Sequence, residues 1–147
     1  MADPEGLPDG SAEAGLCRSC PIHPDPSARL AAINRLPEHL LPIAMTDAEP
    51  EIRRGVARRI GAEWLAVMAW DEDPGVRLIV ATRLLPEQLI ALAGDSDPRV
   101  RAEVATRVVP SALVKLAEDG AEEVCRVARL RLEGLIHRGP EGEHRLM

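Results

Sequence analysis

The sequence predicts an all-helical solenoid, a stack of short repeated units without an enclosed cavity. The first observation is a period of 24 residues between the prolines of four acid–proline pairs, Asp25-Pro26, Glu49-Pro50, Asp73-Pro74 and Asp97-Pro98. The second is composition, because 46% of the residues are hydrophobic although the chain has no Phe, no Tyr and only two Trp. A stack of thin layers can bury Ala, Val and Leu between neighbours, whereas a compact globule usually fills its core with large aromatics.

The period divides the chain into four parts. Residues 1–16 are acidic and rich in Pro and Gly, so we expect a disordered tail. Residues 17–24, CRSCPIHP, form a cysteine segment that overlaps the first unit. The five units then occupy residues 23–46, 47–70, 71–94, 95–118 and 119–138. Residues 139–147 begin with Gly-Pro, a pair that ends helices, and are predicted to be a flexible tail.

Each unit is predicted to open with an α-helix of about ten residues. The acid at position 3 suits the N-cap, and the proline after it suits the first helical position. Apolar residues follow at positions 6, 10 and 14, as in Val76, Val80 and Leu84, and this spacing places them on one helix face. The adjacent position 11 is small in three units, which lets neighbouring layers approach closely.

The second half of each unit is predicted to be a short α- or 3₁₀-helix. It begins with a helix-breaking residue, and only about eight residues separate that residue from the next unit. Two apolar ladders run through these segments: Leu41, Leu65, Leu89 and Leu113, then Ala44, Met68, Leu92 and Leu116. The fifth unit lacks the proline, so one longer helix is expected from about Ala121 to Arg138.

Two units carry the repeat pattern most completely: DEDPGVRLIVATRLLPEQLIALAG at 71–94 and DSDPRVRAEVATRVVPSALVKLAE at 95–118. They resemble the leucine-rich variant repeat family, and the resemblance extends from Cys17 to about Arg138. The resemblance implies alternating α- and 3₁₀-helices stacked into a right-handed superhelix. Some members also carry an N-terminal cysteine segment that binds a [4Fe–4S] cluster and are associated with nitrogen fixation.

The cysteine segment CRSCP is similar to that cluster-binding segment. The resemblance therefore implies a cluster at Cys17 and Cys20, serving electron transfer, redox sensing or metallocluster assembly with a docked protein partner. Two cysteines at this spacing can bind one metal ion or one edge of a cluster, but four ligands are needed.

Several completions of the ligand set stay open. Two chains can each donate Cys17 and Cys20 in a homodimer, or His23 and His39 can join the cysteines around zinc. Cys125 is the third cysteine, but four layers of stacking separate it from the first unit. The remaining alternative is two unligated thiols in a metal-free protein-interaction scaffold.

Arginine recurs at position 13 of every unit: Arg35, Arg59, Arg83, Arg107 and Arg131. Because Arg pairs well with carboxylates, we predict ion pairs between these arginines and the aspartates that open the units; an acidic partner or phosphate is the alternative. Trp64 and Trp70 are predicted to fill the core, whereas helix positions 5, 8, 9 and 12, including Leu30, Leu78 and Ile79, are predicted to face solvent.

Charge and motif content limit the functional classes. The net charge of −6, concentrated in the two ends, argues against nucleic-acid binding. Because no secretory signal and no apolar run of about 20 residues are evident, and the three cysteines do not suggest a disulfide framework, a cytoplasmic location is expected. No nucleophile–base set or phosphate-binding loop is evident, so the sequence predicts a non-enzymatic protein that binds a protein partner.

Overall fold

The computed structural model describes residues 20–137, and within this range the chain is all helical, with no strand. The predicted helical solenoid is therefore confirmed. Both predicted tails lie outside the described residues, and so does Cys17. The α-helices are α1 Pro26–Ile33, α2 Pro50–Arg59, α3 Ala62–Leu65, α4 Pro74–Arg83, α5 Pro98–Arg107, α6 Pro110–Leu116 and α7 Glu122–His137. The 3₁₀ segments are Glu38–Ala44, Val67–Trp70 and Gln88–Leu92.

The repeated acid–proline pairs start the main helices as predicted. Pro is the first residue of α1, α2, α4 and α5. The side chains of Asp25, Asp73 and Asp97 accept hydrogen bonds from backbone N–H groups of the first helical turn at 2.8–3.1 Å. These bonds satisfy amide groups that have no partner inside the helix. The predicted long last helix is also present, as α7.

The core is a series of thin apolar layers. Each main helix packs against the main helix of the next unit, in the order α1, α2, α4, α5, α7. The predicted stripe is buried at positions 6 and 10 in all five units, and both ladders of the short segments are buried as well. Gly55 in α2 permits a close approach of α1, because a Cβ there would lie 3.3 Å from Leu30 Cδ1.

Two predictions about burial are wrong. Trp64 and Trp70 do not fill the core, since they are 44% and 76% exposed. Leu30, Leu78 and Ile79 do not stand free in solvent but are partly buried against the core. Stacking places a neighbouring main helix on both sides of α2, α4 and α5 and on one side of α1 and α7, so the apolar face is broader than the stripe at positions 6, 10 and 14. The layers leave no wide space that would hold an indole.

Candidate functional site

Consecutive layers are joined by a ladder of ion pairs. The arginine at position 7 of one unit donates two hydrogen bonds, from Nε and from an Nη, to the aspartate at position 1 of the next unit. The bonds measure 2.7–3.1 Å, and the pairs are Arg29–Asp47, Arg53–Asp71, Arg77–Asp95 and Arg101–Asp119. Such bidentate pairs fix the orientation of both groups.

Each ladder arginine also contacts its own layer. Arg53 Nη1 donates to the carbonyl oxygens of Asp47 and Ala48 at 2.7 and 3.3 Å, and the other three arginines repeat this contact. Each ladder aspartate accepts a backbone N–H from two residues further on, as Asp71 does from Asp73 at 2.8 Å. The hydrogen bonds from Arg101 lower the pKa of Asp119, so the carboxylate stays ionised in the fold.

The arginines at position 13 do not form the predicted ladder. Arg107 donates to the carbonyl oxygens of Ala81, Thr82 and Leu84 at 2.6–3.0 Å, at the C-terminal end of α4 in the preceding layer. Arg59, Arg83 and Arg131 make equivalent contacts with the preceding layer. The last carbonyls of a helix lack partners and carry partial negative charge, so they compete well for a guanidinium.

The ladder has different residues at its two ends. Position 1 of the first unit is His23 instead of Asp, and position 7 of the last unit is Cys125 instead of Arg. The Cys125 thiol is partly exposed and donates to the carbonyl oxygen of Ala117 at 3.1 Å. Cys125 therefore belongs to the last layer of the stack, whereas Cys20 precedes the first helix.

The described part of the cysteine segment is a turn that leads into α1. The backbone N–H of His23 donates to the carbonyl oxygen of Cys20 at 3.2 Å, and the Cys20 thiol is partly exposed. His23 Nδ1 accepts the backbone N–H of Asp25 at 3.0 Å. In a neutral imidazole this contact places the proton on Nε2, so a metal bound at Nε2 requires that hydrogen bond to break.

The structure does not bring the remaining predicted ligands together. Within residues 20–137, no group of three His, Cys, Asp or Glu side chains is arranged to hold a metal ion. Cys20, His23 and His39 consequently form no such group, and the placement of Cys17 lies outside the described residues.

A second candidate site is an exposed apolar surface on the short helical segments. We call this surface the tryptophan face. Its members are exposed by 44–76%, and they are Leu40, Ile43, Trp64, Val67, Trp70 and Ile90. They come from the second halves of the first three units, and they include every aromatic residue of the chain.

An open cleft of about 330 Å³ lies beside Trp70. Ala91, Leu92 and Gly94 from the second half of the third unit also line the cleft, so the second halves of the second and third units are neighbours. Arg77 also lines the cleft, but its guanidinium is paired with Asp95. A Cβ added to Gly94 would meet no atom within 4 Å, which shows that the space there is open.

The described helices do not include a membrane-spanning one: within residues 20–137, none is both long and apolar enough to cross a bilayer.

No family model matches the chain, and no match was found among curated proteins. The chain is similar to a leucine-rich repeat variant. That protein is described as a leucine-rich repeat variant with a novel repetitive structural motif; the TM-score is 0.72 and the sequence identity is 32%. The similarity covers 76% of this chain and 48% of the other, so this chain spans about half the length of the structure it matches. The fold is that of a repeat-protein scaffold.

Proposed function

We propose that this protein is a non-enzymatic scaffold that docks a protein partner on the tryptophan face. The observation that carries the proposal is that both aromatic residues of the chain lie on the surface while Ala, Val and Leu fill the core. Trp is enriched among the residues that dominate binding energy at protein interfaces. Contiguous exposed apolar surface is typical of interaction sites.

The ion-pair ladder supports this proposal by making the face rigid. The short segments that carry Trp64 and Trp70 are followed directly by Asp71, which Arg53 holds through two hydrogen bonds. Leu65 and Met68 belong to the same segments, and their side chains are buried in the core. A surface that is already ordered loses little conformational entropy when a partner binds, so its apolar area contributes more fully to affinity.

The test is retention of a partner by the immobilised full-length protein. A partner retained by the wild type and identified by mass spectrometry is purified, and its Kd is measured by calorimetry. We expect the Trp64→Ala, Trp70→Ala variant to bind at least about 30-fold more weakly, since interface tryptophans often contribute 2 kcal/mol or more. The matched control is Leu130→Ala, Ile136→Ala on α7, where both residues are also exposed. Equal binding by both double variants would contradict the proposal.

A second proposal concerns a metal cluster at Cys17 and Cys20. The observation that favours it is the place of Cys20, in a turn at the open end of the stack, where two chains can meet without disturbing the layers. One chain does not supply the four thiolates of a [4Fe–4S] cluster, because it has three cysteines and Cys125 lies in the last layer. We therefore propose that two chains each contribute Cys17 and Cys20.

When bound, such a cluster supplies one-electron chemistry, for electron transfer, redox sensing or cluster assembly. The cytoplasmic location expected from the cysteine content suits such a group. Protein purified without oxygen should contain iron, absorb in the visible range and have the mass of a dimer that separates on chelation. Cys17→Ser, Cys20→Ser should abolish these properties, and Cys125→Ser should retain them. Metal-free monomers would contradict the proposal, and a zinc-bound monomer would favour the set with His23.

A further inference from the structure

We infer that the segment docking on the tryptophan face is cationic, with Lys or Arg side chains next to apolar ones. This inference rests on the proposed function and adds the chemistry of the partner. Its basis is the charge that surrounds the exposed apolar residues.

The segments of the tryptophan face carry glutamates and His39 but neither lysine nor arginine. The second halves of the first three units, residues 37–46, 61–70 and 85–94, contain Glu38, Glu63 and Glu87 but no Lys or Arg. All three glutamates are exposed, and none has an ion-pair partner within the part of the chain that the structure describes. Every described arginine except Arg35 lies in a main helix, and Arg35 lies between α1 and the first short segment. The three glutamates are the only Asp, Glu, Lys or Arg residues in these segments, and their negative charge favours a partner of the opposite sign.

Two of these carboxylates are neighbours across the layers. A Cβ on Gly61 would lie 2.9 Å from Glu38 Oε1 and 2.5 Å from a carboxylate oxygen of Glu63. Like charges this close repel each other, and a cation between them relieves the repulsion. Arg59, which ends α2, does not provide that cation, since it donates to the backbone carbonyls of Ile33 and Leu36.

The cleft beside Trp70 suits the side chain of a lysine or arginine. Trp70 presents an exposed indole, and a cation over an indole face is attracted by its electron distribution. The aliphatic stem of the same side chain can cover Ala91 and Leu92. Arg77 in the cleft does not oppose this arrangement, because Asp95 accepts two hydrogen bonds from it.

The partner chemistry is tested by selection from a display library of random peptides against the full-length protein. Peptides that bind the wild type but not the Trp64→Ala, Trp70→Ala variant are sequenced. They are then synthesised without tryptophan, so that the fluorescence of the protein's own tryptophans reports binding when each peptide is titrated into the protein. We expect these peptides to carry net positive charge and apolar residues. Their Kd should increase as the salt concentration rises.

Substitutions at Gly94 separate charge from obstruction. Its φ is not positive and the space is open, so a side chain fits there without backbone strain. Gly94→Lys should weaken binding of the selected peptides about tenfold, whereas Gly94→Glu should preserve or tighten it. Gly120→Lys in the last layer is the matched control, because Gly120 is equally open. The triple variant with Gln at Glu38, Glu63 and Glu87 should weaken binding roughly fivefold and reduce its salt dependence.

The outcomes distinguish this inference from the proposed function. If the selected peptides depend on Trp64 and Trp70 but are neutral or acidic, the inference that the partner is cationic is wrong. The proposal that the tryptophan face docks a partner is then retained. Equal weakening by Gly94→Lys and Gly94→Glu would lead to the same conclusion. If no selected peptide depends on Trp64 and Trp70, both the docking face and the cationic partner are overturned.

Discussion

Arg53 and Asp71 belong to consecutive layers, and two hydrogen bonds of 2.8 and 3.1 Å join their side chains. Both side chains are less than a tenth exposed, at 5% and 8%. Arg53 also holds the backbone of its own layer through the carbonyl oxygen of Asp47. One guanidinium thus connects the loop before its own helix to the loop before the next helix, and this connection recurs along the stack.

Removing Arg53 should therefore destabilise the stack more than removing its neighbour. Arg53→Ala leaves the buried Asp71 carboxylate without its cationic partner and with only the backbone N–H of Asp73, and we expect a loss of about 3 kcal/mol in the free energy of unfolding. Arg54→Ala is the control: Arg54 is 34% exposed, although it also pairs with an aspartate, Asp73. Its loss should cost at most about 1 kcal/mol. Urea unfolding measures both, and equal effects would contradict the special role of Arg53.

The arginines at position 13 should resist replacement by lysine. Arg107→Lys keeps the charge but removes the planar fork that reaches carbonyl oxygens of Ala81, Thr82 and Leu84. We expect a loss of about 1–2 kcal/mol in the free energy of unfolding. Arg126→Lys on the surface of α7 should change it by less than about 0.5 kcal/mol. A negligible effect at Arg107 would show that these carbonyl contacts do not stabilise the stack.

The interlayer core can be tested at Leu89. This side chain is fully buried, so Leu89→Ala should cost about 2–5 kcal/mol. Leu85→Ala, in the same unit, removes a side chain that is 61% exposed and should change the stability by less than about 0.5 kcal/mol. Denaturant unfolding of the two variants under the same conditions measures the difference. A small effect at Leu89 would contradict its place in the core.

Acid should weaken the fold through the paired aspartates. The hydrogen bonds from Arg99 lower the pKa of Asp97 to about 2, and those from Arg101 lower the pKa of Asp119. An unfolded aspartate titrates near pH 3.9. Because the folded pKa is the lower one, these groups stabilise the fold above about pH 4, and the contribution disappears as the pH falls from about 4 towards 2.

The corresponding measurement is the free energy of unfolding between about pH 2 and pH 6. Wild type should lose stability below about pH 4, and Asp97→Asn, Asp119→Asn should lose less over the same interval because it has fewer protons to take up. Parallel acid profiles for wild type and the double variant would contradict the assignment of the pKa shifts to these pairs.

The exposure of Trp70 predicts its fluorescence. In a Trp64→Phe variant, the native emission should resemble that of tryptophan in water, and it should shift little when urea unfolds the protein. Acrylamide should quench it nearly as well in the native as in the unfolded state. A strongly blue-shifted native emission that acrylamide quenches poorly would instead place the indole in the core.

The sequence predicted the helices well, because their determinants are local. The acid–proline pairs supply both an N-cap and a first helical residue, and the four-residue apolar spacing defines one face whatever lies opposite. This spacing predicts that Val76 and Leu89 lie in the core, and both are buried. The number of residues in the short segments similarly predicted tight helical turns.

The partners of the arginines at positions 7 and 13 could not be predicted from the sequence. Position 7 and position 13 repeat with the same period, so either can be paired with the aspartates by pattern alone. In the structure, Arg53 reaches an aspartate 18 residues ahead, whereas Arg107 reaches carbonyl oxygens 23 to 26 residues behind. The direction in which each side chain leaves its helix decides between the partners. That direction depends on how the layers are rotated relative to each other.

The exposure of the tryptophans has the same origin. A period shows that layers stack, but the spacing between the layers determines which side chains fit there. Layers held together by Ala and Val leave no room for Trp64 or Trp70, and the two indoles are therefore displaced to the surface. The repeat, the helix boundaries and the apolar stripe were determined by the sequence alone, since each depends on neighbours close in the chain. The ion-pair partners and the exposed apolar face were decided by tertiary packing, because each depends on residues that only stacking brings together.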